Sequence, residues 1–485
     1  MNISLTQEQA CSFAAQKDYQ ILPLSCELLA DDITPIGVLR ILKQVSSHSF
    51  ILESVSGPDA HGRYTFLGYD PKLSISCRGG QMKIGDAELQ TDHPAEELRK
   101  LLQKYRSPKL PELPPFTGGL VGYFSYEYLG YQEPTVRTAI TDDDHFCDLD
   151  LMLFDKVIAF DHFRQKLILI VNMRLSDPET EYRKAVLTLA QMADLIRNGT
   201  PYKEPRSRLT GELTPMFDKA AYCEMVEKAK RHIFEGDIFQ IVLSNRFSAP
   251  FEGSLLPTYR MLRTLNPSPY MFYFSGTDVE AAGASPETLV KLENGILHTY
   301  PLAGTRPRGK TEAEDKALEA DLLSDEKELA EHNMLVDLGR NDLGRISKFG
   351  TVAVEKYHTI ERYSHVMHIA SSVRSEIRED CDGLDAIGAV LPAGTLSGAP
   401  KIRACQLIGE LEGTKRGIYG GAVGYLSFQG DLDMCIAIRL AYRKEQTVYI
   451  RSGAGIVADS VPEKEYQECL NKAAAVVRAL KEQEG

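Results

Sequence analysis

Two pairs of glutamates, each in a predicted helix, are the residues of this chain best suited to chemistry. Glu328 and Glu331 form the first pair, and Glu465 and Glu468 form the second. Residues three apart lie on one face of a helix, so each helix presents two carboxylates side by side. If the two helices face each other, the carboxylates form an oxygen-rich site suited to a hard cation such as Mg²⁺. The alternative for either pair alone is a solvated helix face.

A glycine-containing segment, Arg451-Ser-Gly-Ala-Gly455, comes directly before the second predicted helix. Glycines let bare backbone N–H groups approach an anion closely. Together with carboxylates and a metal ion, this segment predicts a site for a small acidic molecule.

Five further residues carry side chains that could take part in chemistry. Arg439 ends an apolar strand, where its guanidinium needs either a carboxylate ligand or a structural acid. Glu287 follows a turn beside apolar strands, where burial would raise its pKa towards that of a general acid; the alternative is an exposed loop acid. His368 is flanked by apolar residues and could be a core histidine or a catalyst. Thr395 and Ser397 precede a predicted helix, as an anion-binding helix start or as an N-cap.

Composition excludes several classes of protein. The net charge of −13 argues against a nucleic-acid partner, which requires clustered Lys and Arg. Nine scattered cysteines without a C-x-x-C motif argue against a disulfide framework or a zinc ribbon and favour a reducing cytoplasm. The chain begins without a signal peptide, and no apolar run reaches the roughly 18–20 residues that span a membrane. We therefore expect a soluble cytoplasmic protein with no nucleic-acid or membrane partner.

The positions of helices and strands predict how these residues are held. Predicted helices cover about 176–197, 217–235, 313–338, 382–391, 398–410 and 462–482. Gly339 is a predicted helix stop, and Ser460-x-x-Glu463 is a predicted capping box. Strands and helices alternate without a regular βαβ pattern. This favours an α+β fold of large antiparallel sheets with helices packed outside.

The sequence also repeats itself weakly. Gly118–Glu127 and Gly420–Gln429 are identical at six of ten positions, and each is followed by Asp-Leu-Asp, at 148–150 and 431–433. We predict two pseudo-duplicated halves that form one complex fold. The first half is residues 1–200, the second and catalytic half is residues 215–485, and the polar, proline-rich segment 198–208 joins them.

Four longer motifs resemble those of the chorismate-utilising enzymes, most closely the large subunits of anthranilate synthases. They are Pro301-Leu-Ala-Gly-Thr-Arg-Pro-Arg-Gly309, Ala330-Glu-His-Asn-Met-Leu-Val-Asp-Leu-Gly-Arg-Asn-Asp342, Gly394-Thr-Leu-Ser-Gly-Ala-Pro-Lys401 and Gly453-Ala-Gly-Ile456. The resemblance covers nearly the whole chain and is densest over 220–475. It implies a reaction of chorismate with ammonia that gives anthranilate and pyruvate.

The resemblance also implies roles for individual residues. Glu331 and Glu468 are implied Mg²⁺ ligands, supported by Glu328 and Glu465. Glu287 is the implied acid for the departing C4 hydroxyl, with His368 and Thr395 at the same ring edge and His368 a candidate for proton transfer in the elimination. The implied substrate-binding residues are Gly304, Thr305, Tyr419, Arg439, Gly453, Ala454, Gly455 and Lys472.

Two positions bear on the nucleophile that such an enzyme would use. Gln240 stands where related salicylate and isochorismate synthases carry a lysine that activates water, and an amide cannot act as a base. Ala303 stands where many aminodeoxychorismate synthases have a lysine that can attack the ring itself. Ammonia is therefore the expected nucleophile. Since the chain has no visible glutaminase signature, a separate glutamine amidotransferase subunit, and hence a hetero-oligomer, is implied.

Three other functions remain open at this point. An aminodeoxychorismate synthase would make the same amino adduct without eliminating pyruvate. A glycosidase could use paired carboxylates, although this chain contains no Trp to stack on sugars. A non-catalytic metal-binding protein would need only the glutamates.

Two segments, one from each half, resemble the family's tryptophan-binding segments. They contribute Leu52, Glu53, Ser54, Pro269, Tyr270 and Met271. Polar groups of the first segment and the apolar side chains of the second could line an indole site, which predicts feedback inhibition by tryptophan. The alternative is a pair of core strands with a turn.

Overall fold

The structure is a computed structural model that describes residues 2–54, 62–137, 140–142, 144–362 and 366–482. The helices in these ranges are α1 (Gln7–Gln16), α2 (Pro35–Val45), α3 (Pro94–Gln103), α4 (Leu129–Gln132), α5 (Pro178–Asn198), α6 (Lys219–Phe234), α7 (Leu256–Leu265), α8 (Glu312–Ser324), α9 (Glu326–Gly344), α10 (Gly383–Val390), α11 (Lys401–Glu412) and α12 (Pro462–Lys481). None of them combines the length and the apolar composition that a bilayer-spanning helix needs.

The strands are β1 (Ile21–Leu29), β2 (Ser49–Glu53), β3 (Tyr64–Tyr69), β4 (Leu73–Arg78), β5 (Gln81–Ile84), β6 (Ala87–Gln90), β7 (Gly119–Phe124), β8 (Leu149–Phe154), β9 (Lys156–Asp161), β10 (Lys166–Arg174), β11 (Arg208–Leu209), β12 (Thr214–Pro215), β13 (Gln240–Glu252), β14 (Tyr270–Ser275), β15 (Glu280–Ser285), β16 (Thr288–Glu293), β17 (Ile296–Thr299), β18 (Leu302–Pro307), β19 (Ala353–Arg362), β20 (Val366–Glu376), β21 (Gly398–Ala399), β22 (Ala422–Ser427), β23 (Leu432–Ile436), β24 (Leu440–Lys444) and β25 (Thr447–Ile456).

These strands form two large antiparallel sheets. The first has 13 strands, with the main order β1-β10-β9-β3-β2-β14-β15-β24-β25-β13-β11, and β12 and β21 pair with β13. The second has 12 strands, ordered β18-β20-β17-β16-β23-β22-β7-β8-β4-β5-β6, with β19 on β20. The predicted α+β class with large antiparallel sheets is confirmed.

The strand order supports the predicted duplication. In the second sheet the two repeated segments lie side by side as β7 and β22, with Gly122 opposite Gly424. Outward from this pair, β8, β4 and β5 on one side match β23, β16 and β17 on the other. The first sheet is arranged in the same way around the β2–β14 pair. Because both sheets take strands from both halves, the division at 1–200 and 215–485 stays a prediction.

The layers are helices, sheet, sheet and helices. One apolar cluster joins the first sheet to α2, α5, α7 and α12, and another joins the second sheet to α3, α9 and α10. A third cluster, rich in aromatic side chains such as Phe50, Tyr123, Phe272 and Tyr425, fills the space between the sheets. Helices therefore pack outside both sheets, and α9 and α12 come from opposite layers.

Two predictions about the helix that carries Glu328 and Glu331 were wrong. The predicted helix over 313–338 is divided at Asp325, whose side chain accepts hydrogen bonds from the N–H groups of Lys327 and Glu328 and so starts α9 as a new helix. Gly339 is not a stop, because α9 continues to Gly344. Gly339 instead allows close packing, since a Cβ there would lie 3.1 Å from Thr299 Cγ2.

The helix starts near the candidate site also differ from the predictions. The residue preceding α11 is Pro400, so neither Thr395 nor Ser397 caps that helix; Thr395 lies in a short 3₁₀ helix at Gly394–Leu396. The residue preceding α12 is Val461, with no side-chain cap, so the Ser460–Glu463 capping box does not form. Ser460 instead bonds the Val457 N–H at 3.1 Å.

Candidate active site

The two glutamate pairs lie on α9 and α12, as predicted, and their carboxylates interact. Burial raises the pKa of Glu331, and the negative charges of Glu328 and Glu468 raise it further. Burial also raises the pKa of Glu465, again with a contribution from Glu468. Glu468 thus couples the two helices electrostatically, although they are separated by more than a hundred residues along the chain.

Lys472 connects this carboxylate cluster to the glycine segment. Its Nζ lies 2.6 Å from Glu468 Oε1, one turn earlier on α12, and donates to the Gly453 carbonyl at 3.1 Å. The metal-binding candidates and the backbone of 453–455 are therefore neighbours. This is the arrangement expected when one small anion contacts both.

The donor set fits a hard cation held in part by water and ligand. Mg²⁺ usually keeps several waters and takes only one or two carboxylates from the protein, so the pair Glu331 and Glu468 is sufficient. A divalent cation bound there would offset the repulsion among the carboxylates. Within the described ranges, the group with three potential ligand atoms within 4.8 Å of one another is a different one, at the C-terminal end of α6: His232, Glu235 and Asp237.

Glu328 faces a bulge in β18. Its Oε2 would lie 3.2 Å from a Cβ at Gly304, which has φ +68° at the point where the register of β18 against β20 shifts. A glycine is favoured there because other residues rarely adopt this conformation. Arg306, a residue that the sequence analysis did not single out, lies 3.5 Å from Glu328 Oε1 and also pairs with Asp325 at 2.8 Å. The sequence feature that could have identified Arg306 as a site residue is its position in the 301–309 motif.

Glu287 is an acid that remains protonated at neutral pH. It lies in the connection between β15 and β16, and Thr395 Oγ1 donates to its Oε1 at 3.2 Å. Burial raises the pKa of Glu287 to about 8, against the opposing effects of the Thr395 hydroxyl and the positive charges of Arg439 and Lys472. The predicted general acid therefore has a suitable pKa, and a cavity of about 40 Å³ lies beside the two side chains.

His368 is positioned by the backbone of the same bulge. Its Nδ1 lies 2.9 Å from the Gly304 carbonyl, which can only accept, and 3.1 Å from Thr305 Oγ1. The Nδ1 therefore carries the proton, and in the neutral ring the lone pair is on Nε2. Burial lowers the pKa of His368, with a further lowering from Arg439, so the ring is neutral at pH 7. A neutral imidazole in this position can accept a proton.

The glycine segment forms the end of β25 beside Tyr419. A Cβ at Gly453 would lie 2.6 Å from the Leu243 carbonyl and 3.0 Å from the Tyr419 hydroxyl, so no larger residue fits without a shift. Ala454 between the two glycines is fully buried. The Tyr419 hydroxyl and the backbone of 453–455 therefore lie close together, and we call these groups the polar wall of the site.

Gln240, at the start of β13, lies on the other side of this wall. Its Nε2 would be 3.0 Å from a Cβ at Gly455, and its buried Oε1 has no hydrogen-bond partner within the described part of the chain. Arg439 lies in the connection between β23 and β24, with φ +51°. Its charge reaches both Glu287 and His368, as their pKa values indicate. The structure thus brings the predicted site residues of the second half together.

The two segments predicted to bind tryptophan are adjacent strands, β2 and β14, with Glu53 opposite Met271. The Glu53 carboxylate accepts hydrogen bonds from Tyr259 and from Arg263, the latter at 3.2 Å. Alternation along β2 places Leu52 and Ser54 on the opposite face of the sheet.

At the ends of the same strands, the Ser54 hydroxyl is buried and has no hydrogen-bond partner among the described residues. Tyr270, preceded by Pro269, bonds Asp433 at 2.7 Å. A ligand of this region would contact the ends of both strands, at Ser54 and Pro269.

Comparison with known proteins gives one consistent result. A family model described as chorismate binding enzyme matches residues 48–478. The chain is 45% identical over 482 residues to anthranilate synthase component 1 of Acetivibrio thermocellus, covering 96% of each chain. It is 44% identical over 491 residues to the protein of the same name from Aquifex aeolicus, covering 99% of this chain and 98% of that one. The crystal structure of anthranilate synthase component I from Streptococcus pneumoniae TIGR4 matches with a TM-score of 0.78 and 38% identity, covering 93% of this chain and 99% of that one.

Proposed function

Because the chain belongs to the family of chorismate-binding enzymes, we propose that it is component 1 of an anthranilate synthase. It is a lyase that converts chorismate and ammonia to anthranilate and pyruvate. The observation that carries the mechanism is the pair formed by Glu287 and Thr395, in which a buried carboxyl group stays protonated near neutral pH. Such a group can donate a proton to a leaving hydroxyl.

Binding of the dianionic substrate is assigned to two sides of the site. Glu331 and Glu468 would hold Mg²⁺, supported by Glu328 and Glu465, and the bound ion supplies Lewis-acid and template chemistry for the ring carboxylate. On the other side, Arg439, Tyr419 and the N–H groups of 453–455 hold the enolpyruvyl carboxylate. Lys472 stands between the two groups, and the bulge of β18 at Gly304 and Thr305 is assigned to the ring of the substrate.

The first chemical step adds nitrogen and removes water. Ammonia forms a bond to C2, the ring double bonds shift, and the C4–O bond breaks. Glu287 gives its proton to the departing hydroxyl, which leaves as water, and Thr395 holds the resulting carboxylate. The added nitrogen then releases one proton to the solvent, and a proton from the solvent restores the acid for the next turnover. Gln240 has no lone-pair nitrogen that could deprotonate water, and Ala303 cannot attack the ring, so ammonia is the nucleophile.

The second step aromatises the ring. His368, neutral and with its lone pair on Nε2, takes the proton from C2. The electrons of the broken C–H bond complete the aromatic ring as the C3–O bond breaks and the enolate of pyruvate leaves. The enolate becomes pyruvate when its methylene carbon takes up a proton, which the protonated His368 or the solvent supplies. This step separates an anthranilate synthase from an aminodeoxychorismate synthase, whose product keeps the enolpyruvyl group.

The proposed function is tested with the pure chain, chorismate, Mg²⁺ and one nitrogen source at a time. With an ammonium salt at alkaline pH we expect fluorescent anthranilate and one pyruvate for each anthranilate. With glutamine we expect no turnover above background, because the ammonia would come from a separate amidotransferase subunit. A non-fluorescent amino adduct without pyruvate would contradict the synthase, and glutamine-dependent turnover would contradict the need for a second subunit.

We also propose that tryptophan inhibits the enzyme at the ends of β2 and β14. The Ser54 hydroxyl is buried and has no hydrogen-bond partner among the described residues, which supports a polar contact there. Pro269, Tyr270 and Met271 supply apolar surface. Leu52 and Glu53 complete the first strand. Tryptophan must then bind the less active state more tightly, and chorismate must weaken tryptophan binding by the same factor.

Ser54→Phe is expected to relieve this inhibition, since the larger side chain fills the space at the strand ends. We expect the tryptophan concentration for half-inhibition to rise by about tenfold or more, the scale of a typical allosteric coupling, with little change in uninhibited turnover. Ser12→Phe, on the exposed face of α1, is the matched control. A Ser54→Phe enzyme as sensitive as the parent, or a parent fully active in millimolar tryptophan, would rule out the site.

A further inference from the structure

Three charged side chains lie buried behind the candidate active site. Glu412, Arg416 and Arg451 are 2%, 1% and 1% exposed. Arg416 Nη2 lies 2.6 Å from Glu412 Oε1, and Arg451 Nη2 lies 2.7 Å from Glu412 Oε2. We call these three residues the buried triad.

Stabilisation of the fold does not readily explain why three charged side chains are buried together. Removing charges from water costs more than their attraction commonly returns, and apolar side chains of similar size often stabilise a protein equally well. The buried triad also contains two positive charges and one negative charge. The charges of its three side chains therefore sum to +1, whereas a simple ion pair would be neutral.

The ionisation state of the triad is well defined. Burial alone would raise the pKa of Glu412, but Arg416, Arg451 and the Ser244 N–H more than offset this and hold it below its ordinary value. Glu412 is thus ionised at neutral pH. The neighbouring acid Glu127 accepts from the N–H groups of Arg416 and Gly417, at 2.6 and 3.0 Å, and burial raises its pKa against the effects of these bonds and of Lys415.

The triad is hydrogen-bonded to segments that lie next to the site residues. Arg416 donates to the carbonyl of Leu396, next to Thr395, and to the carbonyl of Val242 on β13, both at 2.7 Å. Also on β13, Ser244 donates its N–H to Glu412 at 2.8 Å and its hydroxyl accepts from Arg451 Nε at 2.8 Å. Ser244 is the residue directly opposite Gly453 in the β13–β25 ladder.

Tyr419 is held from the same side. The guanidinium of Arg416 lies 4.5 Å from the centre of the Tyr126 ring and 5.8 Å from that of Tyr419. A cation over these rings fixes their planes and stabilises the charge that the triad buries. The Tyr419 hydroxyl, in turn, is the group that closes on Gly453.

We propose that Glu412, Arg416 and Arg451 are positioning residues for the anionic substrate. They fix the Thr395 loop, Tyr419 and the 453–455 backbone relative to one another, and they direct one net positive charge towards the substrate carboxylate. This inference rests on the proposed function, since it assigns the triad to that same site. The triad touches neither the substrate nor the reacting atoms. It acts through the Thr395 loop, Tyr419 and the 453–455 backbone, whose positions it fixes.

A pair of substitutions at Arg451 separates charge from packing. Arg451→Met removes the net charge, whereas Arg451→Lys keeps it and loses only the planar fork. For Arg451→Met we expect KM for chorismate to rise on the order of tenfold, the size expected for one charge acting through a partly buried medium, with a smaller change in kcat. For Arg451→Lys we expect most of the parental KM to return. Equal KM values in the two variants, or an unchanged KM in Arg451→Met, would overturn the proposal.

Two further variants keep the test informative. Ser244→Ala deletes the hydroxyl that joins both Arg451 and Glu412 to β13, and should fold and raise KM a few-fold. An unchanged KM would contradict the positioning role even if Arg451→Met does not fold. Arg99→Met is the matched control, because Arg99 also pairs with two carboxylates, Asp382 and Asp385, but on α3 and α10. Its KM should equal that of the parent. If the parent makes no anthranilate, the proposed function is wrong. If the parent is active and the Arg451→Met variant has an unchanged KM, only the role of the triad is wrong.

Discussion

Glu331→Gln and Glu468→Gln are each expected to lower kcat/KM by about a thousandfold or more, because each removes a charged oxygen ligand from a site that relies on one or two carboxylates. The loss should come without a loss of stability. The charges of Glu328 and Glu468 raise the pKa of Glu331, so neutralising Glu331 relieves repulsion in the protein without Mg²⁺. In the presence of a chelator, we expect the melting temperature of the Glu331→Gln variant to be equal to or higher than that of the parent. Calorimetric titration with Mg²⁺ and the fluorescence of anthranilate measure the two effects.

Two exposed glutamates on the same helices serve as controls for these substitutions. Glu326→Gln lies in the first turn of α9 and Glu463→Gln in the first turn of α12, and both side chains are exposed. Each removes one charge near the site without removing a proposed ligand, so both should bind Mg²⁺ and turn over as the parent does. Near-normal turnover of Glu331→Gln and Glu468→Gln at saturating Mg²⁺ would contradict the assignment of the metal ligands.

Glu287→Gln is expected to lower kcat by about a hundredfold to ten-thousandfold, the usual contribution of a positioned general acid. In the parent, burial raises the pKa of Glu287 to about 8, so the protonated acid is lost as the pH rises through about 8 and kcat should fall on this alkaline limb of its pH profile. The residual kcat of Glu287→Gln should not show this alkaline fall. Thr395→Val removes a hydroxyl that lowers the pKa of Glu287, so in this variant the fall should move to higher pH. An alkaline limb unchanged in Glu287→Gln would assign the acid to another residue.

The same pKa makes a prediction for stability. Between about 4.5 and about 8 the native protein holds a proton on Glu287 that the unfolded chain releases, so the free energy of unfolding contributed by this group decreases as the pH rises through that window. Glu287→Gln removes the titration. The variant should therefore gain melting temperature relative to the parent at pH 8 and above, and lose that advantage at low pH. Melting curves of both proteins across this range measure the difference.

The sequence by itself determined those features that depend on short stretches of chain. The spacing of Glu328 and Glu331, and of Glu465 and Glu468, places each pair on one helix face wherever the helix lies. Local glycine patterns marked β7 and β22, and the sheet order confirms their equivalence, with Gly122 opposite Gly424. The α+β class followed from the irregular alternation of strands and helices. The three local errors, at Asp325, Gly339 and Ser460, arose where a side-chain bond or close packing displaced a helix boundary.

Only the tertiary structure decided which distant groups share an environment. The Glu412–Arg416 spacing suggests a helical ion pair, but nothing local indicates that Arg451 joins it, or that all three are buried. The pKa of Glu287 likewise depends on Thr395, more than a hundred residues away, and on the burial of its carboxyl group. Capping and periodicity act within a few residues, and the sequence displays them directly. Burial and electrostatic coupling depend on how sheets and helices pack, and they exist only once the chain has folded.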